Sequence, residues 1–324
     1  MSQRIQNKID VHHHVYPPEF TEAIERNGGD PSGWFVPSWT LEADHNVCER
    51  MGVATTILSC TAPGPDIEKD PKKARELARA LHEYNANLRG AEPRAYGFFA
   101  SVPSLLDTEA AIREMSHALD VLKADGVILM TRYGKDNHFL GHADFTSIWD
   151  FLNVRNAVVF VHPTHLVDDQ LINKSLPQPA WNYTHETSKT AIDLITSNML
   201  RDHAGNCKII LSHAGGTLPY LIDRAAGMMP FTPFSPGKSR DEYLQEARSF
   251  YYDTALSSSP MHLKALKALL GESQKDHLLF GTDFPNAPTD AIEYYTKQLE
   301  EQDDFDVDEL RTNALKLFPR FASL

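Results

Sequence analysis

The sequence predicts a parallel (β/α)8 barrel of the TIM type, and three observations carry that reading. Short runs rich in β-branched and aromatic residues recur eight times, with amphipathic segments at helical spacing between them. Residues able to bind metal or move protons fall at the C-terminal ends of those runs, where barrel enzymes keep their active sites. The 324 residues suit one such barrel, and no linker or internal repeat divides them, so a single domain over 1–324 is expected.

The expected strands are 8–15, 53–60, 95–102, 126–131, 157–162, 208–213, 250–254 and 277–283. Between the first two, Thr40 is placed to cap a helix carrying Leu41, Cys48 and Met51, and Gly52 to stop it. Pro71 opens a helix with Ala74, Leu77, Ala78, Leu81 and Leu88 on one face. Asp107 caps the next, where Ile112, Met115, Leu119 and Leu122 recur at spacings of three and four. Trp149 and Leu152 mark a fourth helix, and Ala191, Leu194, Ile195 and Met199 a fifth. Later helices begin near Pro219, Asp241, Pro260, Pro288 and Asp308. Two connections exceed an ordinary βα loop: 16–38 after strand one and 165–185 after strand five. Both are rich in Pro and aromatic residues and are expected to act as lids over a flat apolar ligand.

Composition narrows the function. Hydrophobic residues make up 42% of the chain, enough for a large core, and the net charge of −13 argues against nucleic acid or an anionic membrane as partner. Cys48, Cys60 and Cys207 show no paired spacing, which fits a reducing compartment. The N-terminal residues have no apolar signal region, and no run approaches the roughly 18 apolar residues of a spanning helix, so a cytoplasmic protein is expected.

The chemistry begins at Asp10-Val11-His12-His13-His14. Side chains alternate along a strand, so His12 and His14 share a face while His13 points away, expected to pack between strand and helix. Strand five ends in His162, strand six in His213 and strand eight in Asp283. Two His from strand one, His162 and Asp283 can surround one divalent ion and leave a position open for water or substrate.

The segments Lys8-Ile-Asp-Val-His-His-His, Phe160-Val-His-Pro, Ile210-Leu-Ser-His-Ala-Gly-Gly, Leu279-Phe-Gly-Thr-Asp-Phe-Pro and Asn313-Ala-Leu-Lys-Leu-Phe-Pro together resemble the amidohydrolase superfamily. Within it they resemble the aminocarboxymuconate-semialdehyde decarboxylase-like branch. The resemblance implies that His12, His14, His162 and Asp283 are metal ligands, with His213 and Asp283 catalytic. Binuclear members carry a carboxylated lysine after strand four; this chain has Met130-Thr131-Arg132, so one ion is expected. Three imidazoles and a carboxylate suit zinc, and manganese also suits carboxylate and phenolate chelation.

Residues 38–42 and 59–65 resemble most the 6-methylsalicylate decarboxylases of that branch. Its dicarboxylate-binding members carry an arginine ahead of the residue matching Trp39; this chain reads Trp34-Phe-Val-Pro-Ser-Trp39, which disfavours a second substrate carboxylate. The expected reaction is nonoxidative decarboxylation of an ortho-hydroxybenzoate, with 6-methylsalicylate giving 3-methylphenol and CO2. The alternative is a metal-dependent hydrolase of a lactone, ester or amide on the same site. The resemblance further implies that Arg224 reaches a neighbouring subunit's site, hence a homodimer. Trp181, Phe284 and Trp39 are expected against a small aromatic acid, and Arg132 to anchor a carboxylate or pair with a local acid.

Overall fold

The computed structural model describes residues 7–168, 170–271, 276–302 and 305–322. Eight parallel strands follow one another in chain order: Lys8–His14, Val53–Ser59, Tyr96–Ser101, Gly126–Met130, Val158–His162, Lys208–Leu211, Tyr251–Asp253 and Leu278–Leu279. They are called strands one to eight below. The ring closes where Val11 N donates to Phe280 O (3.0 Å), Asp283 N to His12 O (2.8 Å) and His14 N to Phe284 O (2.6 Å). A closed sheet has no free edge, and every strand presents its C-terminal end to the same rim.

All eight strands stand where the sequence placed them. Strand eight is shorter than 277–283 because its last residues leave the ladder. Asp10 accepts from the Thr282 backbone N–H (3.1 Å) and hydroxyl (2.6 Å), and Asp283 turns into the left-handed region at φ 64°. The caps also hold: Thr40 accepts from Ala43 N (3.1 Å) at the start of Leu41–Met51, and Gly52 ends that helix at φ 71°. Asp107 accepts from Ala110 N (3.2 Å) ahead of Thr108–Ser116. The fifth helix differs: it ends at Thr196, Asn198 takes φ 65°, and Met199 belongs to a separate turn, Met199–Asp202. The apolar spacing is unbroken there, but the left-handed residue resets the helix axis, a device that Asn tolerates.

The barrel interior is filled from below by stacked rings. Phe99 and Phe160 lie 5.4 Å apart and His12 sits 4.9 Å above Phe160, all fully buried. Each such phenyl contributes about 1.5–3 kcal/mol and shuts water out of the floor. The insertion after strand one carries helix Pro18–Arg26, whose Phe20, Ala23 and Ile24 pack with Leu77 and Leu81 of helix Pro71–Ala91. The insertion after strand five joins it through Gln178 N donating to Ser32 O (3.3 Å). Among the described residues no helix is long and apolar enough to cross a membrane.

Candidate active site

Strand one delivers its histidines as the alternation predicts. His12 and His14 point into the barrel with ring centroids 5.0 Å apart, and His162 lies 5.3 and 4.8 Å from them. His13 points outward and binds Asp10 (2.9 Å) and Asp44 (2.8 Å), between strand and helix as expected. Asp283 places Oδ1 3.5 Å from His12 Nε2 and 3.3 Å from His14 Nε2. One donor atom each from His12, His14, His162 and Asp283 falls within 4.8 Å of all the others.

The Nδ1 side of every ring is occupied, which decides what Nε2 can do. His12 Nδ1 donates to Asp253 Oδ2 (2.9 Å) and His162 Nδ1 to the Pro163 carbonyl (2.8 Å). Ser59 Oγ donates to His13 O (3.3 Å), so it is free to accept from His14 Nδ1 (2.9 Å). A ring that carries its one proton on Nδ1 turns its Nε2 lone pair to the centre, the arrangement that orients metal-bound histidines. His12 Nε2 and His14 Nε2 are buried with no hydrogen-bond partner, as nitrogens that face a ligand would be. Zinc–nitrogen bonds of about 2.0–2.1 Å at tetrahedral angles put donor atoms about 3.4 Å apart, which matches the Asp283 separations. The residues therefore fit a divalent ion.

Electrostatics say the same. Burial works against charge on His12, yet Asp253 and Asp283 overcome it and hold its pKa at about 10. Burial and the neighbouring His12 charge lower His14 to about 4, and burial, His14 and His12 push His162 well below its ordinary value. Asp283 stays well below the carboxylate range: burial would raise it, and His12 outweighs that. The two carboxylates thus call for positive charge between the rings.

His213 follows strand six at φ 54°, with Ala214 at φ 56°. Left-handed backbone in non-glycine residues costs energy and collects at functional positions. Its N–H donates to Asp253 Oδ1 (3.0 Å) and its Nδ1 to Ala255 O (3.1 Å), leaving Nε2 for the cavity. Burial and the charge of His12 lower its pKa, so the ring is held neutral.

The cluster opens into a cavity of about 240 Å³. His162, His213 and Asp283 share its wall with Trp34, Ala62, Pro179, Tyr183, Leu256 and Tyr295, and with the polar Asp30, Thr61 and Asn286. Both long insertions contribute to it: Asp30 and Trp34 from the first, Pro179, Ala180 and Tyr183 from the second.

Phe284, Trp39 and Trp181, expected against the substrate, stand outside the cavity wall. Phe284 packs its ring 5.1 Å from His13 on the outside of the strand, where the chain has left the ladder and turned at Asp283. Trp39 packs 6.2 Å from Tyr84 on helix Pro71–Ala91. Trp181 turns to His185 (5.9 Å), and its neighbours Ala180 and Tyr183 line the cavity instead. Arg224 is exposed on helix Leu218–Met228, outside the cavity wall. Arg132 donates to the Gly134 carbonyl (3.0 Å) and to that of His165, so it braces two loops.

Asp253, Ser59, Asp10, Asp30 and Asn286 were not anticipated. Asp253 was within reach, since it stands one residue before the end of the seventh expected strand, 250–254, at the same rim as the histidines. Asp30 and Asn286 sit in loops, where no periodicity marks which side chain turns inward.

The amidohydrolase family profile matches residues 9–320. A 6-methylsalicylic acid decarboxylase of Penicillium expansum is 56% identical over 322 residues, 98% of either chain. The crystal structure of an amidohydrolase superposes with TM-score 0.84 at 26% identity, over 96% of this chain and 99% of that one. A dihydroxybenzoic acid decarboxylase of Polaromonas, with bound manganese and the inhibitor 2-nitroresorcinol, shares the fold at TM-score 0.81 and 22% identity, covering 97% of each chain. These findings bear out the resemblance drawn from the motifs, and the chain belongs to the amidohydrolase family.

Proposed function

We propose that the protein is a metal-dependent, nonoxidative decarboxylase of an ortho-hydroxybenzoate, converting 6-methylsalicylate to 3-methylphenol and CO2. The convergence of His12, His14, His162 and Asp283 at the floor of a largely apolar, ring-sized cavity carries this reading. The relative that is 56% identical, named for 6-methylsalicylic acid, supports the substrate. Direct loss of CO2 from an aryl acid would strand charge on a ring carbon, so that carbon must be protonated first. A divalent ion held by the four residues would neutralise the carboxylate and ortho oxygen of the bound ring. Zinc suits the donor set, and the manganese of the Polaromonas relative supports that ion as the second choice.

This chain's residues do the rest. The reaction takes up one proton from solvent: His213 Nε2 or the second oxygen of Asp283, on the cavity wall, accepts it and passes it to the ring carbon, and CO2 then leaves. Trp34, Tyr183 and Tyr295 flank the ring, with aromatic contact contributing about 0.5–1.5 kcal/mol beyond burial. A second copy of the chain is proposed to cover the face around Arg224, where Tyr220 and Phe231 are 84% and 88% exposed.

Incubating the metal-loaded protein with 6-methylsalicylate, salicylate, benzoate and a panel of lactones, read by mass spectrometry, tests the reading. It expects 6-methylsalicylate to lose CO2, salicylate to react within about tenfold, since a methyl fills only a pocket, and benzoate to be inert. Lactone hydrolysis with no decarboxylation of any salicylate would overturn it.

A further inference from the structure

The cavity wall is electrically one-sided. Among the described lining residues there is no lysine or arginine, and Asp30 joins the wall from the insertion after strand one. The Asp30 carboxyl is held in place: Oδ1 accepts from Ser32 N (2.8 Å), and the Asp30 carbonyl accepts from Gly33 N (3.1 Å). Ser32 is fully buried, its hydroxyl accepts from Trp34 N (3.3 Å) and its carbonyl from Gln178 N (3.3 Å). The acid thus sits, half-buried, in an Asx turn pinned between the two insertions. Burial raises its pKa against the pull of the Ser32 hydrogen bonds. Asp30 and Asp283 both line this one cavity, so the two carboxyls face a common space.

We infer that Asp30 is a specificity-determining residue that selects the substrate's charge and sets which way the ring enters. The inference rests on the decarboxylase reading above. The floor, with its demand for a cation, draws a carboxylate inward, while Asp30 offers the outer part of the cavity only a hydrogen-bond acceptor or an anion. A ring with one carboxylate enters with that group towards His12, His14 and His162. A second carboxylate would have to face an anion or force a proton onto Asp30, and either costs affinity. A ring hydroxyl at the same position donates to Asp30 and is admitted.

The test uses the metal-loaded protein and matched rings that differ at one position. Calorimetric binding compares 2,5-dihydroxybenzoate with 4-hydroxyisophthalate, and 2,4-dihydroxybenzoate with 2-hydroxyterephthalate, in wild type, Asp30→Asn and Asp30→Ser. In wild type the hydroxyl member of each pair should bind at least tenfold tighter. In both variants that ratio should fall at least tenfold in one of the pairs. Equal binding within both wild-type pairs, or ratios unchanged in the variants, would overturn the inference. Because the readout is binding, a protein that turned over no salicylate would refute the proposed reaction and leave this result legible.

Discussion

At the residue scale, the site is a set of rings whose orientation is decided by what holds their far nitrogens. His12→Ala, His14→Ala, His162→Ala and Asp283→Ala should each lower metal content together with activity, as elemental analysis of the purified variants will show. Full metal in any of them would remove that residue from the set. His213→Ala should keep its metal and lose most turnover, because its Nε2 handles protons rather than an ion. Asp253 orients His12 through Nδ1 and His213 through its backbone N–H. Asp253→Asn should weaken metal affinity about 10–100-fold, measured by competition with a chromophoric chelator. An affinity equal to wild type would mean that strand one alone orients His12.

At the scale of elements, the turn after strand six is tightly constrained backbone, with His213, Ala214, Gly215 and Gly216 all at positive φ. Gly216 has φ 62°, and a Cβ there would lie 1.9 Å from the carbonyl oxygen of Thr184, a residue of the cavity wall. Gly216→Ala must push the start of helix Tyr183–Thr196 away, so denaturant unfolding should show a loss of about 3 kcal/mol or more, with reduced turnover. A loss under about 1 kcal/mol would show that the turn can relax. Helix Pro71–Ala91 carries a different liability in His82, which is fully buried and bonded to the Ser101 carbonyl. Burial lowers its pKa from 6.5 to about 4. The unfolded chain therefore binds a proton below pH 6.5 that the folded one refuses until pH 4. Stability is full above pH 6.5 and falls as pH drops through this window, by about 3 kcal/mol from this residue. The protein with His82→Gln should lose less stability than wild type between pH 7 and pH 4; parallel losses would exonerate the residue.

At the scale of the whole molecule, a closed sheet makes one rigid rim to which separate strands each add a group. Its outside carries the exposed Tyr220, Phe231 and Phe234 near Arg224. The proposed homodimer predicts a solution mass of twice the 36.4 kDa chain by light scattering, shifting towards the monomer in Phe231→Glu. A wild-type protein that runs as a monomer at micromolar concentration removes the dimer and Arg224's reach to a neighbour with it.

What the sequence determined by itself was periodic. Alternation along 8–15 placed His12 and His14 together and His13 apart, and eight apolar runs in βα order leave few ways to bury their faces other than a barrel. Strand ends then gave His162, His213 and Asp283, since a parallel barrel gathers all its C-terminal ends at one rim. Tertiary structure decided what periodicity does not reach. Phe284 turns outward because Asp10 pulls Thr282 and the backbone out of the ladder, a contact spanning 272 residues of sequence. Trp39 and Trp181 look like pocket residues by composition, and only packing against Tyr84 and His185 shows otherwise. Asp30 and Asn286 enter the cavity from loops, whose course is set by hydrogen bonds to distant segments rather than by any local repeat.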